Sequence, residues 1–240
     1  MRHATFVILC AGRVGSEFLV SLLDSHPDIC CYGEVFTPPF EPQEQWFNPY
    51  LPDGVKAFTQ SEQDDPRRYI AELASGCAGI AVGFKLTNSS IEAHPGSVST
   101  LEGLQVIRLT RENLLAQHVS GVLAYTTGAW KQGTGTETYG TTTHRVDTAG
   151  CKRALAALER REQELDGLAE GHPTIRLTYE RLVAGPIDEV QQFLGVEPRA
   201  LSSPHRKLRT RQLRETIENW DELSDELRGT RFERFLAETP

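Results

Sequence analysis

The chain has 240 residues and a formal net charge of −8, with 39% hydrophobic and 24% charged residues. This length and composition predict one globular domain over residues 1–240, since no linker-like stretch divides the chain. The acidic balance argues against a nucleic-acid partner, and no run approaches the roughly 20 apolar residues of a membrane span.

The N-terminal part predicts a strand, a helix and a second strand in that order. The apolar run at 4–10 is the first strand, and the amphipathic stretch 16–25 is the first helix. A short strand is expected at 29–32. Residues 37–62 are rich in proline and aromatic residues. Because a long connection without secondary structure is usually functional, we expect this segment to face a substrate.

The remainder of the chain alternates strands with helices. The expected elements are a helix at 65–75, strands at 80–85 and 104–109, helices at 112–125 and 148–170, a strand at 174–179 and a helix at 187–194. Residues 126–147 are dense in threonine and glycine and lack periodicity, which predicts a second substrate-facing loop. This alternation predicts an α/β fold, with a mainly parallel central sheet between two layers of helices.

The cysteines give no sign of a metal site. There are five of them, an odd number, and none has C-x-x-C spacing. The adjacent Cys30 and Cys31 cannot readily bridge each other. The first apolar run is also interrupted by Gly12 and Arg13, too early for the core of a signal peptide. Together these features predict reduced thiols and a cytoplasmic location.

The residues that join the first strand to the first helix form the most informative motif, Cys-Ala-Gly-Arg-Val-Gly-Ser at 10–16. A glycine-containing turn that leads into a helix N-terminus binds anions, because its backbone N–H groups and the helix dipole favour negative charge. The usual ATP-binding loop has a lysine after its last glycine. Here no lysine follows Gly15, and the cation Arg13 precedes it. The motif therefore predicts an anion site that differs from the usual magnesium–nucleotide site.

Polar residues also accompany the ends of the other predicted strands. Glu34 follows the second strand, Lys85 ends the third, Arg111 follows the fourth and Tyr179 ends the last. Ligands of parallel α/β sheets bind at the carboxyl ends of the strands. Since those ends lie at one edge of the sheet, we expect the four side chains to converge there.

With these motifs in place, the chain resembles the sulfotransferases that use 3′-phosphoadenosine 5′-phosphosulfate (PAPS). The stretch VIRLTRENLLAQHVS at 106–120 resembles their 3′-phosphate motif, and RVGS at 13–16 resembles their 5′-phosphosulfate loop. The stretch YERL at 179–182 is similar to the family's Tyr-Glu-Asp-Leu stretch. Gly-Glu at 33–34 and IENWDEL at 217–223 resemble the bacterial carbohydrate branch, which includes nodulation-factor and trehalose sulfotransferases.

The resemblance implies a P-loop-like fold and a set of donor-binding residues. Arg111 and Ser120 would bind the 3′-phosphate, and Arg108 is the alternative to Arg111, because the spacing to Ser120 is one position longer than is common. Tyr179 would lie near the adenine. The remaining implied donor-binding residues are Arg13, Val14, Gly15, Ser16 and Glu17 in the loop, and Lys207 and Arg209 in the basic C-terminal stretch.

The resemblance also implies the reaction. Glu34 would be the general base for an acceptor hydroxyl, Arg13 would stabilise the leaving phosphate, and Lys85 would stabilise charge on the sulfuryl group. The acceptor would be a small molecule or carbohydrate, the product nucleotide would be 3′-phosphoadenosine 5′-phosphate (PAP), and no metal would be needed. The family allows a homodimer, although the sequence has no decisive interface signature.

The loop departs from the family pattern at several positions. Ala11 and Gly12 replace a proline, Val14 replaces a small polar residue, and Glu17 replaces a hydroxyl residue. Two other functions therefore stay open, namely a small-molecule kinase with a divergent P-loop and a non-catalytic nucleotide-binding relative. A dinucleotide-dependent oxidoreductase is disfavoured because G-x-G-x-x-G is absent.

Overall fold

In the computed structural model, residues 4–36, 48–51, 65–128, 142–205 and 211–237 are described. The strands are β1 (Ala4–Cys10), β2 (Ile29–Glu34), β3 (Ala81–Thr87), β4 (Gln105–Thr110) and β5 (Thr174–Thr178). The α-helices are α1 (Ser16–Asp24), α2 (Pro66–Ser75), α3 (Asn88–Ala93), α4 (Leu114–Thr127), α5 (Thr148–Ala169), α6 (Tyr179–Ala184), α7 (Asp188–Phe193), α8 (Leu213–Thr216) and α9 (Trp220–Leu227). Most of the two segments expected to face substrate, 37–62 and 126–147, falls outside the described residues.

Within the described residues, the strands form one five-stranded sheet in the order β2-β3-β1-β4-β5. Every neighbouring pair is parallel. The register pairs Cys10 at the end of β1 with Thr87 of β3 and with Leu109 of β4. All carboxyl ends therefore meet at one edge, and the predicted P-loop-like α/β fold is confirmed.

Both faces of the sheet are covered by helices. On one face, Phe6, Ile8 and Cys10 of β1 lie in an apolar cluster with residues of α1, α6 and α7. On the other face, Val7 and Leu9 lie in a cluster with residues of α2 and α5. β1 is apolar on both sides because a central parallel strand has no face in contact with water. This burial fixes the start of the loop that joins β1 to α1.

Two strands extend beyond their predicted ends, which changes the setting of two candidate residues. Glu34 lies at the end of β2 and Lys85 lies inside β3, and the two residues are directly paired in the sheet. The register between β2 and β3 shifts between Cys31 and Glu34, where Gly33 has φ of +65°. Because of this irregularity, the alternation of residue types in the sequence did not indicate where β2 ends.

The expectation that all the cysteines are reduced thiols is wrong for one pair. Cys30 and Cys77 form a disulfide, with their Cα atoms 6.0 Å apart. It joins the edge strand β2 to the turn that follows α2. Cys10, Cys31 and Cys151 are free and buried. The disulfide removes the cysteine-based argument for a cytoplasmic location. Among the described residues, no helix is long and apolar enough to cross a membrane.

Arg108 is a structural residue inside the sheet rather than a group at its edge. Its side chain is fully buried on the side of α5. The guanidinium donates to the Asp166 carboxylate at 3.0 Å, to the Glu162 carbonyl at 3.1 Å and to the Leu109 carbonyl at 2.9 Å, and it also pairs with the Glu162 carboxylate. Through these bonds, the guanidinium joins β4 to α5. Arg108 is therefore not in place to bind the 3′-phosphate.

The Arg108 network gives a stability prediction with a matched control. Replacing Arg108 with Met leaves the half-buried Glu162 carboxylate without its cation, and we expect a loss of about 3 kcal/mol in the free energy of unfolding. Arg176 donates to the same Asp166 carboxylate at 2.7 Å, but its side chain is 61% exposed. Arg176→Met should therefore cost less than about 1 kcal/mol. Urea denaturation measures both, and equal losses would contradict this assignment.

Candidate active site

The loop between β1 and α1 has an unusual backbone that its neighbours hold in place. Arg13 has φ of +66° and Gly15 has φ of +81°, both in the left-handed region. The side chain of Gln117, on α4, donates to the Gly12 carbonyl at 2.7 Å, and Arg111 donates to the Arg13 carbonyl at 3.2 Å. A left-handed non-glycine residue is strained, so these bonds help to maintain the conformation. They also engage carbonyl oxygens that would otherwise repel an anion.

Tyr179 packs against this loop. A Cβ atom added at Gly15 would lie only 2.6 Å from the ring atom Cδ2 of Tyr179. The guanidinium carbon of Arg111 lies 4.6 Å from the centroid of the same ring. Tyr179 therefore contacts both the loop and Arg111, a cation–π arrangement that orients the guanidinium. The prediction that Tyr179 lies near the adenine stays untested.

The two phosphate-like motifs meet directly. Nε of Arg13, in the loop, donates to the hydroxyl of Ser120 on α4 at 3.2 Å. Together with the bond from Arg111 to the Arg13 carbonyl, this contact joins residues about 100 positions apart in the sequence. Four of the predicted donor-binding residues, Arg13, Gly15, Arg111 and Ser120, thus form one connected group at the carboxyl edge of the sheet.

The other predicted loop residues differ in what their side chains contact. Val14 is fully buried in the core next to α1, so that only its backbone could face a ligand. Ser16 is the first residue of α1 and is also buried. Lys207 and Arg209 lie outside the described residues.

A second charged group lies beside the loop and centres on Lys85. Nζ of Lys85 is 3.1 Å from a carboxylate oxygen of Glu34, and it also donates to the carboxylate of Glu17 on α1. The Lys85 side chain is 3% exposed, whereas those of Glu34 and Glu17 are 20% and 32% exposed. The buried ammonium therefore contacts two carboxylates that are both partly exposed at the surface.

Electrostatics keeps Lys85 charged in spite of its burial. Burial alone lowers the pKa of a lysine, but the carboxylates of Glu17 and Glu34 outweigh this effect, and the pKa of Lys85 is raised above its ordinary value. The thiol of Cys10 lies in the same region. Burial raises the pKa of Cys10 to about 12, so this thiol remains protonated at neutral pH.

Asn48 is a site-supporting residue that sequence reasoning missed. Its amide nitrogen donates to the Tyr32 carbonyl at 2.7 Å and to the Glu34 carbonyl at 3.0 Å. Its amide oxygen accepts from the backbone N–H of Tyr50 at 3.0 Å. These bonds hold the irregular end of β2, including the backbone of Glu34. The sequence shows a polar residue in a proline-rich segment, but it does not show which backbone groups that residue will bind.

Within the ranges that the structure describes, no group of three or more His, Cys, Asp or Glu residues is arranged to hold a metal ion. The loop and the two arginines offer groups that can bind an anion, next to a carboxylate in contact with a buried ammonium. A site with these groups suits transfer of an anionic group to an acceptor that loses a proton.

Comparisons with known proteins agree with this description. No family model matches the chain. Two Nodulation protein H sequences of Rhizobium meliloti, one of them from strain 1021, are 24% and 23% identical to it, and each alignment covers 98% of both proteins. A crystal structure of a sulfotransferase from Alicyclobacillus acidocaldarius was also matched, and the alignment covers 100% of this chain and 98% of that protein. The two are 16% identical in sequence, and the TM-score is 0.43. This likeness is too distant to support a functional conclusion. The chain is thus similar over nearly its whole length to Nodulation protein H, which confirms the resemblance to the sulfotransferases and to their nodulation-factor branch that its sequence motifs indicate.

Proposed function

We propose that this protein transfers a sulfuryl group from PAPS to a hydroxyl group of a small-molecule or carbohydrate acceptor. The observation that supports this most is the bond between Arg13 of the loop and Ser120 of α4, at 3.2 Å. It brings the 5′-phosphosulfate motif and the 3′-phosphate motif into one site, as a donor with phosphates at both positions requires. The whole-chain similarity to Nodulation protein H points to the same type of activity.

The loop offers the groups that a phosphosulfate needs. α1 begins after Gly15, which has no side chain to cap the first amides of the helix. These N–H groups and the helix dipole favour an anion. Ser16 adds a hydroxyl and Arg13 adds a cation. We assign the 5′-phosphosulfate to this loop.

The 3′-phosphate is assigned to Arg111 and Ser120. A guanidinium suits a phosphate because it donates two parallel N–H bonds to two oxygens. The Tyr179 ring, 4.6 Å from the Arg111 guanidinium, orients this fork. Because Ser120 contacts Arg13, an anion bound at Ser120 would directly affect the cation assigned to the leaving phosphate.

The reaction needs a base and stabilisation of charge. When bound, the donor supplies a sulfuryl group whose bond to the bridging oxygen breaks as the acceptor oxygen forms a new bond to sulfur, and the electron pair leaves with PAP. Glu34 accepts the proton of the acceptor hydroxyl. Arg13 stabilises the negative charge that develops on the leaving phosphate, and Lys85 stabilises charge on the sulfuryl group and holds Glu34. The rest of the catalysis is positioning, by analogy with phosphoryl transfer.

The acceptor is assigned by class only. The branch resemblance favours a carbohydrate or a glycosylated metabolite. Specificity in such scaffolds lies in loops, so we assign it to the segments near 37–62 and 126–147.

Replacing Glu34 with Gln tests the base. The change keeps the shape of the side chain but removes its ability to accept a proton, so we expect kcat to fall at least 100-fold. PAP affinity should change less than about threefold, because the donor groups are elsewhere. Mass spectrometry of sulfated products, with PAPS and a panel of hydroxylated acceptors, measures turnover, and calorimetry measures PAP binding.

The control for this experiment is Glu72→Gln. Glu72 forms an exposed pair with Arg68 within α2, away from the loop, so this variant should keep wild-type turnover. Near-normal turnover of Glu34→Gln would exclude Glu34 as the base. Binding of PAP without turnover in any wild-type assay would instead favour a non-catalytic nucleotide-binding relative.

Replacing Gly15 with Ala tests the loop. The new Cβ would be strained at a φ of +81° and would approach the Tyr179 ring to 2.6 Å, so the loop or the ring must move. We expect PAP affinity to fall by about tenfold or more. Gly103→Ala is the matched control, because Gly103 has φ of +79° with open space around it. Its backbone strain should lower stability by about 1 kcal/mol and leave PAP binding intact. Equal PAP affinity of both variants would refute the assignment.

A further inference from the structure

Binding of the donor does not explain why a carboxylate stands at the position of Glu17. It is the second residue of α1, directly after Ser16, and therefore lies beside the proposed phosphosulfate site. A free carboxylate there would repel the donor. Its carboxylate instead accepts a hydrogen bond from Nζ of Lys85. This ion pair neutralises the carboxylate and directs it toward the base rather than toward the anion.

Lys85 in turn is held from two directions. Its ammonium contacts Glu17 from α1 and Glu34 from β2, while its own backbone lies in β3, which is paired with β2 at Glu34. A lysine side chain is flexible, and a single carboxylate partner would not fix its ammonium. Because Glu17 and Glu34 come from two different elements, the ammonium must take a position that contacts both carboxylates.

We propose that Glu17 is a positioning residue that acts through Lys85 to hold the Glu34 carboxylate in the orientation needed to accept the acceptor proton. This inference rests on the proposed function. Because Glu17 and Ser16 are adjacent in α1, the same helix turn that binds the donor sets the position of the base. Binding energy at the loop and orientation of the base are thereby linked.

Kinetics of three variants test the inference. Glu17→Gln should lower kcat about tenfold, whereas KM for the acceptor and PAP affinity stay within about threefold of the wild-type values. If Glu17 acts through Glu34, the double variant Glu17→Gln/Glu34→Gln should turn over at the rate of Glu34→Gln alone. Glu72→Gln is again the control.

Two kinetic results would overturn the inference. One is a wild-type kcat for Glu17→Gln, and the other is a double variant that is tenfold slower than Glu34→Gln. A loss of PAP affinity in proportion to the loss of kcat would instead indicate that Glu17 only maintains the loop, and that pattern would also count against the inference.

A second measurement does not depend on turnover. Glu17→Gln, Lys85→Met and their double variant form a cycle of urea midpoints. If Glu17 holds Lys85, the shift of the double variant is smaller than the sum of the two single shifts, and additive shifts would overturn the inference. Failure of the proposed function looks different, because the wild type would then neither bind PAP nor sulfate any acceptor.

Discussion

The buried ammonium of Lys85 is the constraint on which the arrangement of the site depends. Removing a charged group from water costs several kcal/mol, and only well-placed opposite charges offset that cost. Lys85 is 3% exposed and has two carboxylate partners, Glu17 and Glu34, from two other elements. A shift of α1 or β2 relative to β3 would leave the ammonium undercompensated. The three elements therefore have little freedom to move apart, and the separation of the anion loop from Glu34 is fixed with them.

The same group reconciles an acidic protein with an anionic ligand. The net charge of −8 would repel a phosphosulfate unless cations were concentrated at the site. Arg13 and Arg111 lie at the loop, and the N-terminus of α1 adds its dipole. The carboxylates of Glu17 and Glu34 share the charge of Lys85, which offsets their repulsion of an anion. For the proposed donor, the local pairing of charges would therefore matter more than the overall charge of the protein.

The parts of the fold around the candidate site that the sequence predicted correctly are those that follow from local pattern and sheet geometry. The strand, loop and helix around Gly15 are contiguous, and the charged strand ends converge because the sheet is parallel. The remaining features are non-local. The Cys30–Cys77 disulfide, the partners of Arg108 and the bonds of Asn48 each join segments that only the folded chain brings together. No periodicity in the sequence indicates which residues will be such partners.

Two departures of the loop from the sulfotransferase pattern have a physical explanation. Val14 replaces a small polar residue because its side chain is buried in the core next to α1, and Glu17 replaces a hydroxyl residue because its carboxylate pairs with Lys85. The Val14 side chain is fully buried, and the Glu17 carboxylate is paired with a cation. The positions that would contact the donor, Arg13, Gly15 and Ser16, keep a cation, a left-handed glycine and a hydroxyl.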